Sequence, residues 1–373
     1  GHPGFVTAAA PTPEPTWPRV LGALSVGADL SADQARWAMT QILQGQATDA
    51  QVGAFAMGLR AKGESPAEVG VFVDVMLGHA HRVPLKGDFI ALDVVGTGGD
   101  QSGSVNISTM SALVCASLGA PIVKHGNRAA SSLTGTADVL EELGVAIDLT
   151  PEQVEASVRE AGIGFCLAPL HHPSLRHAAP ARRELGVPTV FNILGPLTNP
   201  GGAMTALVGC ANRDLAPVMA DVLHERGVSA IVVRSEGGMD EIVTSGPTRV
   251  WDATGARVVE FVLTPQEVGL AQVDPVLLAG GDRARNAHLL RAALSGGAVQ
   301  GPDAPAVQAI RDVVALNSAA AMVAFESAGQ RGSGSLVERI TAWLPRTSQA
   351  IAEGRAMTLL QQWIDVTRRL RGA

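Results

Sequence analysis

The chain has 373 residues, of which 46% are hydrophobic and 17% are charged, and its formal net charge is −7. This composition is typical of a packed globular protein and excludes a disordered chain, and the length favours two unequal domains over one. A net negative chain lacks the basic surface of a nucleic-acid-binding protein, so we expect no nucleic-acid partner, and locally placed groups must hold any anionic ligand.

The cysteines and the apolar runs indicate the cellular compartment of the protein. Cys115, Cys166 and Cys210 are odd in number and far apart, which argues against a disulfide framework and a CxxC metal site and favours small buried side chains in a reducing compartment. The run 110–123 is too short to span a membrane, and the start of the chain lacks the features of a signal peptide. We therefore expect no membrane partner and a cytoplasmic location, with residues 1–16 as a flexible tail.

Residues 17–86 are predicted to form a small all-helical domain. Capping boxes begin at Ser31, Thr48 and Ser65, each with a glutamine or glutamate three residues later. Apolar residues recur at helical spacing between them, as in the run 52–59. A domain this small buries little surface alone, so we expect it to pack on the larger domain or on a second subunit.

From residue 89 onward, short apolar runs alternate with helical patterns. This alternation predicts an α/β domain with a mostly parallel central sheet. We assign residues 89–173 and 201–373 to this domain, and we expect the segment 174–200 to pack back onto the helical domain. Ligands of such sheets bind beyond the carboxyl ends of the strands, so motifs that directly follow apolar runs are the candidate site residues.

The first such motif is a glycine-rich turn, Gly-Thr-Gly-Gly-Asp, at residues 96–100. Glycine permits positive φ and lets amide groups approach an anion, and the following residues 106–109 open a helix whose N-terminus offers further free amides. This order predicts a phosphate site, although an ordinary tight turn would show the same glycines. The spacing excludes a Walker loop, and Gln101 stands where a dinucleotide fingerprint needs glycine.

The second motif, residues 124–132, follows the next apolar run. Lys124 offers a point charge, Ser131 and Ser132 offer hydroxyl groups, and Gly126 permits a close approach to a ligand. The alternative is a polar surface loop. Two loops that both follow strands and both carry anion-binding groups favour a shared phosphate site.

Two adjacent carboxylates, Asp240 and Glu241, follow the apolar run 230–233. Carboxylates beside a phosphate would repel it by roughly 4 kcal/mol per charge pair at about 4 Å and an effective dielectric near 20. If the pair shares a site with the phosphate loops, a cation must therefore lie between them, and hard oxygen ligands favour Mg²⁺. The alternative is a solvated acidic turn.

Arg182 is a candidate for binding a carboxylate, because a guanidinium can bind it through two parallel hydrogen bonds. The alternative for Arg182 and Arg183 is a surface ion pair with Glu184 or with another acid. His171 and His172 lack the companion ligands of a zinc site. No pattern typical of a covalent nucleophile stands out, so none is expected.

In this order and at these spacings, the motifs resemble the anthranilate phosphoribosyltransferase family from about residue 17 to residue 370. The resemblance extends to Asn192–Pro200, Gly280-Gly281-Asp282, Asn286 and Asn317. It implies a fold like that of the nucleoside phosphorylases and a homodimer that associates through the helical domain. It also implies transfer of the phosphoribosyl group of 5-phosphoribosyl 1-pyrophosphate (PRPP) to anthranilate in L-tryptophan biosynthesis.

The resemblance further implies the residues that bind each ligand. For PRPP they are Gly96, Gly99, Asp100, Ser104, Asn106, Ile107, Ser108, Thr109, Lys124, His125, Gly126, Asn127, Arg128, Ala129, Ala130, Ser131, Ser132 and Thr136. For anthranilate they are Gly96, Asn127, Arg182, His125 and His172. For Mg²⁺, at two ions per subunit, they are Ser108, Asp240 and Glu241.

The chain departs from the family pattern at three positions. Ser104 stands where threonine is usual and keeps the hydroxyl group, Gln101 stands where glycine is common, and Leu175 lies near the expected acceptor channel. A pyrimidine nucleoside phosphorylase is the first alternative, although it should not need the acidic pair. A transferase-like nucleic-acid-binding protein and a regulatory binding protein without turnover are the others.

Overall fold

The computed structural model describes residues 10–129, 133–329 and 334–373. Residues 130–132 of the predicted phosphate loop lie outside the described residues, and so do residues 1–9 of the predicted tail. The described residues include every other predicted site residue.

The described chain begins with four helices, α1 (Trp17–Ser25), α2 (Ala32–Leu43), α3 (Asp49–Lys62) and α4 (Pro66–Gly78). All three predicted capping boxes form. Ser31, Thr48 and Ser65 each accept a hydrogen bond from the backbone N–H three residues on, and the side chain there accepts one from the cap residue's N–H. These bonds satisfy amides that have no partner inside the helix, so local sequence sets where α2, α3 and α4 begin.

One sheet lies at the centre of the rest of the chain. Its strands are β1 (Leu92–Gly96), β2 (Ile122–Gly126), β3 (Ile163–Leu167), β4 (Thr205–Gly209), β5 (Ser229–Ser235), β6 (Thr248–Ala253) and β7 (Val259–Leu263). The order across the sheet is β3-β2-β1-β4-β5-β6-β7, with β1 to β5 parallel and β6 and β7 antiparallel. The predicted mostly parallel sheet is confirmed, and the sequence patterns missed the two antiparallel strands, β6 and the edge strand β7.

The remaining helices pack on the sheet or on the helices that cover it. They are α5 (Ile107–Ser117), α6 (Thr136–Leu143), α7 (Pro151–Ala161), α8 (Ala168–His171), α9 (Ala179–Leu185), α10 (Phe191–Leu197), α11 (Ala216–Glu225), α12 (Arg283–Leu294), α13 (Ala304–Gly329), α14 (Leu336–Ala352) and α15 (Arg355–Arg371). Among the described helices, α13 alone is long and apolar enough to cross a membrane by length and composition, and 78% of its most apolar stretch is buried inside the protein. Packing in the core therefore accounts for its apolar character.

Two large apolar cores lie on opposite faces of the sheet, because successive side chains of a strand point to opposite faces. Leu207 and Ile231 belong to the core formed with α5, α12, α13, α14 and α15. Val208 and Val232 belong to the core formed with α1 to α4, α9, α10 and α11. The three cysteines are buried and free, as predicted. Since the second core runs without a break from the first helices to the sheet, the chain positions that divide the domains stay a prediction.

The carboxyl ends of the parallel strands carry the predicted motifs. β1 ends at Gly96 in the glycine-rich turn, β2 ends at Gly126 in the second motif, and β5 ends at Ser235, just before the acidic pair. Parallel strands end at the same edge of a sheet, so the fold brings the three motifs to one edge.

Candidate active site

A cleft of about 440 Å³ opens at this edge of the sheet. Its volume falls in the range of ordinary small-molecule sites. The predicted residues that line it are Gly96, Gly99, Asp100, Ser104, Asn106, Ser108, Lys124, His125, Gly126, Asn127, Arg128, Ala129, Thr136, Arg182, Asp240 and Glu241. The structure therefore brings most of the predicted residues together.

Asp240 lies directly against the glycine-rich turn. Its Oδ2 accepts a hydrogen bond from the Gly98 N–H at 2.9 Å, and its own N–H donates to Oδ2 of Asp100 at 3.4 Å. Residues 96–109 and the carboxylates near 240 therefore meet in one cleft, as a shared site requires.

Two glycines at the ends of neighbouring strands make room for Asp240. A Cβ on Gly96 would overlap Oδ2 of Asp240, and a Cβ on Gly209 would overlap its carbonyl oxygen. Overlap with a backbone atom cannot be relieved by turning a side chain, so glycine is required at residue 209. The acidic pair reaches the turn because β1 and β4 both end in glycine.

Gln101 adopts a backbone conformation that L-residues rarely take. Its φ is 56°, and it is the one non-glycine residue with positive φ in the described part of the chain. A side chain in this region adds roughly 1 to 2 kcal/mol of strain. The departure noted in the sequence thus falls where the turn itself favours glycine.

The positive charge that the protein places near the acidic groups of the cleft does not fully offset their negative charge. Burial, and then the neighbouring Asp100, raise the pKa of Asp240 to about 7. Burial, and then Asp240, raise the pKa of Glu241 well above its usual value, and Oε2 of Glu241 is buried with no hydrogen-bond partner among the described residues. Clustered carboxylates of this kind fit a divalent cation, which would replace the missing positive charge.

The protein supplies only part of a coordination sphere for such a cation. Within residues 10–129, 133–329 and 334–373, no group of three or more His, Cys, Asp or Glu side chains is arranged to hold a metal ion. Mg²⁺ is commonly held by one or two carboxylates together with substrate phosphate oxygens and water. Asp240 and Glu241, with the Ser108 hydroxyl, fit that incomplete arrangement.

Lys124 forms the floor of the cleft. Its side chain is 2% exposed, and its ammonium donates to the Val94 carbonyl oxygen and to Oγ of Ser108, the latter at 3.0 Å. Burial lowers its pKa to about 8, although Asp93 and the acidic pair act in the other direction. Lys124 therefore links β1, β2 and the start of α5 while it places a positive charge at the floor of the cleft.

Helix α5 presents its N-terminus to the cleft. Ile107 and Thr109 have buried side chains, so neither side chain can contact a ligand there. The Ile107 N–H donates to the Val105 carbonyl oxygen at 2.8 Å, whereas the amides of Ser108 and Thr109 precede the first hydrogen bond within a helix. The predicted contribution of Ile107 and Thr109 is therefore limited to backbone groups.

Arg128 lines the cleft, but its guanidinium is paired. It lies 3.1 Å from Glu141 and 3.3 Å from Asp138. Asp138 also accepts the N–H groups of Ala129 and Gly135, both at 2.9 Å. The sequence patterns did not single out Asp138, although a glycine followed three residues later by an acid, at the start of a helix, is a detectable signal.

Arg182 faces the same cleft from α9. Burial lowers the pKa of its guanidinium, and no charged neighbour adds to that shift. The ion pair with Glu184, weighed as the alternative, does not form between these two described residues. Arg182 is thus a half-buried cation that remains available to an anionic ligand.

The two predicted histidines differ in position. His125 lines the cleft, with Nδ1 3.0 Å from Oδ2 of Asp93 and Nε2 against the Gly195 carbonyl oxygen. His172 does not reach the cleft wall, because its ring is buried and Nε2 bonds to the Thr198 carbonyl oxygen at 2.8 Å. Burial lowers the pKa of His172 to about 4. The placement of His172 in the acceptor channel therefore needs correction.

Comparison with known proteins agrees with the fold and with the motifs. The chain matches the family described as glycosyl transferase family, helical bundle domain, over residues 18–80, and the family described as glycosyl transferase family, a/b domain, over residues 88–351. The anthranilate phosphoribosyltransferase of Saccharopolyspora erythraea is 50% identical over 93% of this chain and 95% of its own length. That of Nocardia farcinica is 49% identical over 94% and 99%.

Solved structures give the same result. The anthranilate phosphoribosyltransferase of Thermus thermophilus is 37% identical with a TM-score of 0.81, and the match covers 94% of this chain and 99% of that one. That of Saccharomyces cerevisiae in complex with PRPP and Mg is 26% identical with a TM-score of 0.80, over 95% and 98%. The chain belongs to the anthranilate phosphoribosyltransferase family, a family of pentosyl-transferring glycosyltransferases.

Proposed function

We propose that the chain transfers the phosphoribosyl group of PRPP to the amino group of anthranilate, as a step of L-tryptophan biosynthesis. The products are N-(5-phosphoribosyl)anthranilate and pyrophosphate. The observation that carries the proposal is the 2.9 Å hydrogen bond from the Gly98 N–H to Asp240, because it joins the anion-binding turn to the cation-binding carboxylates in one cleft.

The pyrophosphate end of PRPP would bind where backbone amides and a cation meet. The amides of the glycine-rich turn and of the first turn of α5 favour anions, and Lys124 adds a positive charge below them. Ser108, Asp240 and Glu241 would hold Mg²⁺, for which we propose two ions per subunit. When bound, Mg²⁺ neutralises charge on the leaving pyrophosphate.

Anthranilate would bind on the side of the cleft where Arg182 lies. A half-buried guanidinium without a counter-charge suits a planar carboxylate, which it can bind through two parallel hydrogen bonds. Asn127, His125 and Gly96 line the same cleft and would complete the contacts. We assign His172 no contact with anthranilate, only support for this wall through Thr198.

The anthranilate amine would attack C1 of the ribose as the C1–pyrophosphate bond breaks, pyrophosphate would leave with the bonding electron pair, and the proton that the amine loses would pass to the departing pyrophosphate. By analogy with other glycosyl cleavages, the transition state has oxocarbenium character, so the cleft needs to orient both reactants and to neutralise the charge of the leaving pyrophosphate. We assign no covalent nucleophile and no general base among the described residues.

We also propose that the chain is a homodimer, associated through helices α1 to α4, and that it is located in the cytoplasm. A partner subunit at this face would cover Val26 and Met57, two exposed apolar side chains of this region at 80% and 38% exposure. Sedimentation equilibrium of the purified protein would test it, and a monomer at micromolar concentration would contradict it.

Loss of anthranilate fluorescence tests the reaction directly. We expect the fluorescence to fall when PRPP and Mg²⁺ are both present, and to stay constant when EDTA removes the metal. Phosphate-dependent cleavage of thymidine or uridine without loss of anthranilate would instead select a nucleoside phosphorylase. Binding of PRPP with no loss of anthranilate would select a regulatory protein without turnover.

A further inference from the structure

Helix α5 begins without the side-chain cap that its sequence offers. Asparagine is among the preferred residues at a helix N-cap, where its oxygen accepts an N–H of the first turn. Asn106 occupies that position, yet its side chain forms no hydrogen bond to α5. The first turn of α5 therefore keeps amides that the N-cap residue would normally satisfy.

A second asparagine explains why this cap is missing. Asn286, on α12, donates from Nδ2 to Oδ1 of Asn106 at 3.1 Å, and Nδ2 of Asn106 donates to the Thr134 carbonyl oxygen at 3.3 Å. Asn286 is 3% exposed, and its own oxygen accepts the Gly281 N–H at 2.8 Å. Because both ends of its amide are bonded, Asn286 is held in the orientation that directs its NH₂ group at Asn106.

The segment 278–286, which we call the brace, also holds the two phosphate loops. The Val105 N–H donates to the Leu278 carbonyl oxygen at 3.0 Å, and the Gly280 N–H donates to the Gly103 carbonyl oxygen at 2.8 Å. On the other side, Oγ1 of Thr134 donates to the Gly281 carbonyl oxygen at 2.9 Å. The brace thus joins the loop after β1 to the loop after β2.

Gly280 lets the brace approach this closely. A Cβ at residue 280 would lie 2.6 Å from Oδ1 of Asn286 and 3.1 Å from the Ser104 carbonyl oxygen. A side chain there would push Asn286 away from Asn106. The contact between Asn286 and Asn106 therefore requires glycine at residue 280.

We propose that Asn286 is a positioning residue for pyrophosphate binding, because it holds the side-chain oxygen of Asn106 away from the first turn of α5. The amides of that turn then stay available to the substrate. Asn286 acts through Asn106 and does not itself line the cleft. This inference rests on the proposed function, since it assumes that PRPP is the ligand of the turn.

Steady-state kinetics of Asn286→Asp and Asn286→Ala test the inference. The aspartate variant still accepts the Gly281 N–H but turns an oxygen instead of a donor towards Asn106. We expect the KM for PRPP to rise about tenfold in both variants, since one buried hydrogen bond is lost and a competing cap forms. The KM for anthranilate should change less than about twofold. His288→Ala, an exposed position on the same helix, is the matched control and should change neither constant.

A double-mutant cycle with Asn106→Ala separates this role from a purely structural one. Alanine cannot cap α5, so adding Asn286→Ala to it should change the KM for PRPP by less than about twofold. Additive effects would overturn the inference. Where Asn286→Ala does not fold, Asn286→Asp takes its place, because it keeps the bond to Gly281.

Binding without turnover gives an independent readout. Inorganic pyrophosphate with Mg²⁺ should raise the Tm of the unsubstituted protein more than that of either Asn286 variant, and equal Tm shifts would contradict the inference. If the unsubstituted protein does not consume anthranilate, the proposed function fails. If the unsubstituted protein consumes anthranilate and the Asn286 variants have the same KM for PRPP as that protein, the proposed function stands and the inference about Asn286 fails.

Discussion

The two sides of the cleft are built differently. On the phosphate side, Lys124, Arg128 and Asn106 already have protein partners in Ser108, Glu141 and Asn286, and the carboxylates of the acidic pair are the groups left for a cation. On the acceptor side, Arg182 is half-buried and has no described charged partner. The phosphate side is therefore organised before a ligand binds. The acceptor side instead carries a positive charge, on Arg182, that only a ligand would pair.

This difference separates two ways of binding an anion. A preorganised set of amides and paired charges loses little freedom when the ligand binds, so removing one member disturbs the whole network. A single unpaired guanidinium binds its ligand locally, so its removal should affect one substrate only. Substitutions on the two sides should therefore give distinct kinetic patterns.

Removal of the acidic pair should give the largest effect. Asp240→Asn combined with Glu241→Gln keeps the shape of both side chains and removes their negative charge. We expect Mg²⁺-dependent turnover to fall about a thousandfold, because the leaving pyrophosphate loses its charge stabilisation. Initial rates at several Mg²⁺ concentrations measure this, and undiminished turnover would rule out the proposed metal role.

The second-largest effect is expected from Gly209→Ala, which fills the space beside Asp240. In Gly209→Ala the added methyl overlaps the Asp240 carbonyl oxygen, so the acidic pair must move away from the turn. We expect a loss of about 3 kcal/mol in the free energy of unfolding together with about a hundredfold loss of turnover. Gly246→Ala, where the added Cβ meets no atom within 4 Å, is the control for denaturant titration and kinetics. Equal stability of the two variants would contradict the packing argument.

Arg182→Ala tests the acceptor side. We expect the KM for anthranilate to rise about 10- to 100-fold, because a charge-assisted hydrogen-bond pair is lost, while the KM for PRPP changes less than about twofold. Arg183→Ala, at the exposed neighbouring position, should leave both constants unchanged. An unchanged KM for anthranilate in Arg182→Ala would overturn the assignment.

The smallest effect is expected at Gln101. Glycine adopts positive φ without strain, so Gln101→Gly should raise the free energy of unfolding by at most about 1 kcal/mol, partly offset by greater freedom of the unfolded chain. Thermal unfolding measures this change. A clear loss of stability would show that the Gln101 side chain has a role that its contacts do not reveal.

Local rules and long-range packing explain which features the sequence could predict. The starts of α2 to α4 depend on residues three positions apart, and the glycine-rich turn depends on five consecutive residues, so single-sequence patterns identified both. The strands β6 and β7 are no shorter than β1 to β4, but they were missed because they are not continuously buried apolar runs, and β7 at the edge of the sheet is mostly exposed. The burial of His172 depends on its bond to Thr198, 26 residues away, which no local pattern reports.

The brace shows the same limit within the site. The resemblance included Asn286 among the family residues, yet nothing in the spacing of Asn106 and Asn286, 180 residues apart, indicates that their side chains meet. Their contact depends on the backbone hydrogen bonds that join the brace to the loop before α5, which the three-dimensional fold alone determines. The sequence therefore predicted the residues that line the cleft more completely than the residues that hold them in place.

The core shared by the first helices and the sheet has a thermodynamic consequence. Side chains of β4 and β5 alternate between the two apolar cores. Because both cores share these strands, we expect them to unfold together. Heating in a calorimeter should therefore give one heat-absorption peak, with equal calorimetric and van't Hoff enthalpies for the folded unit.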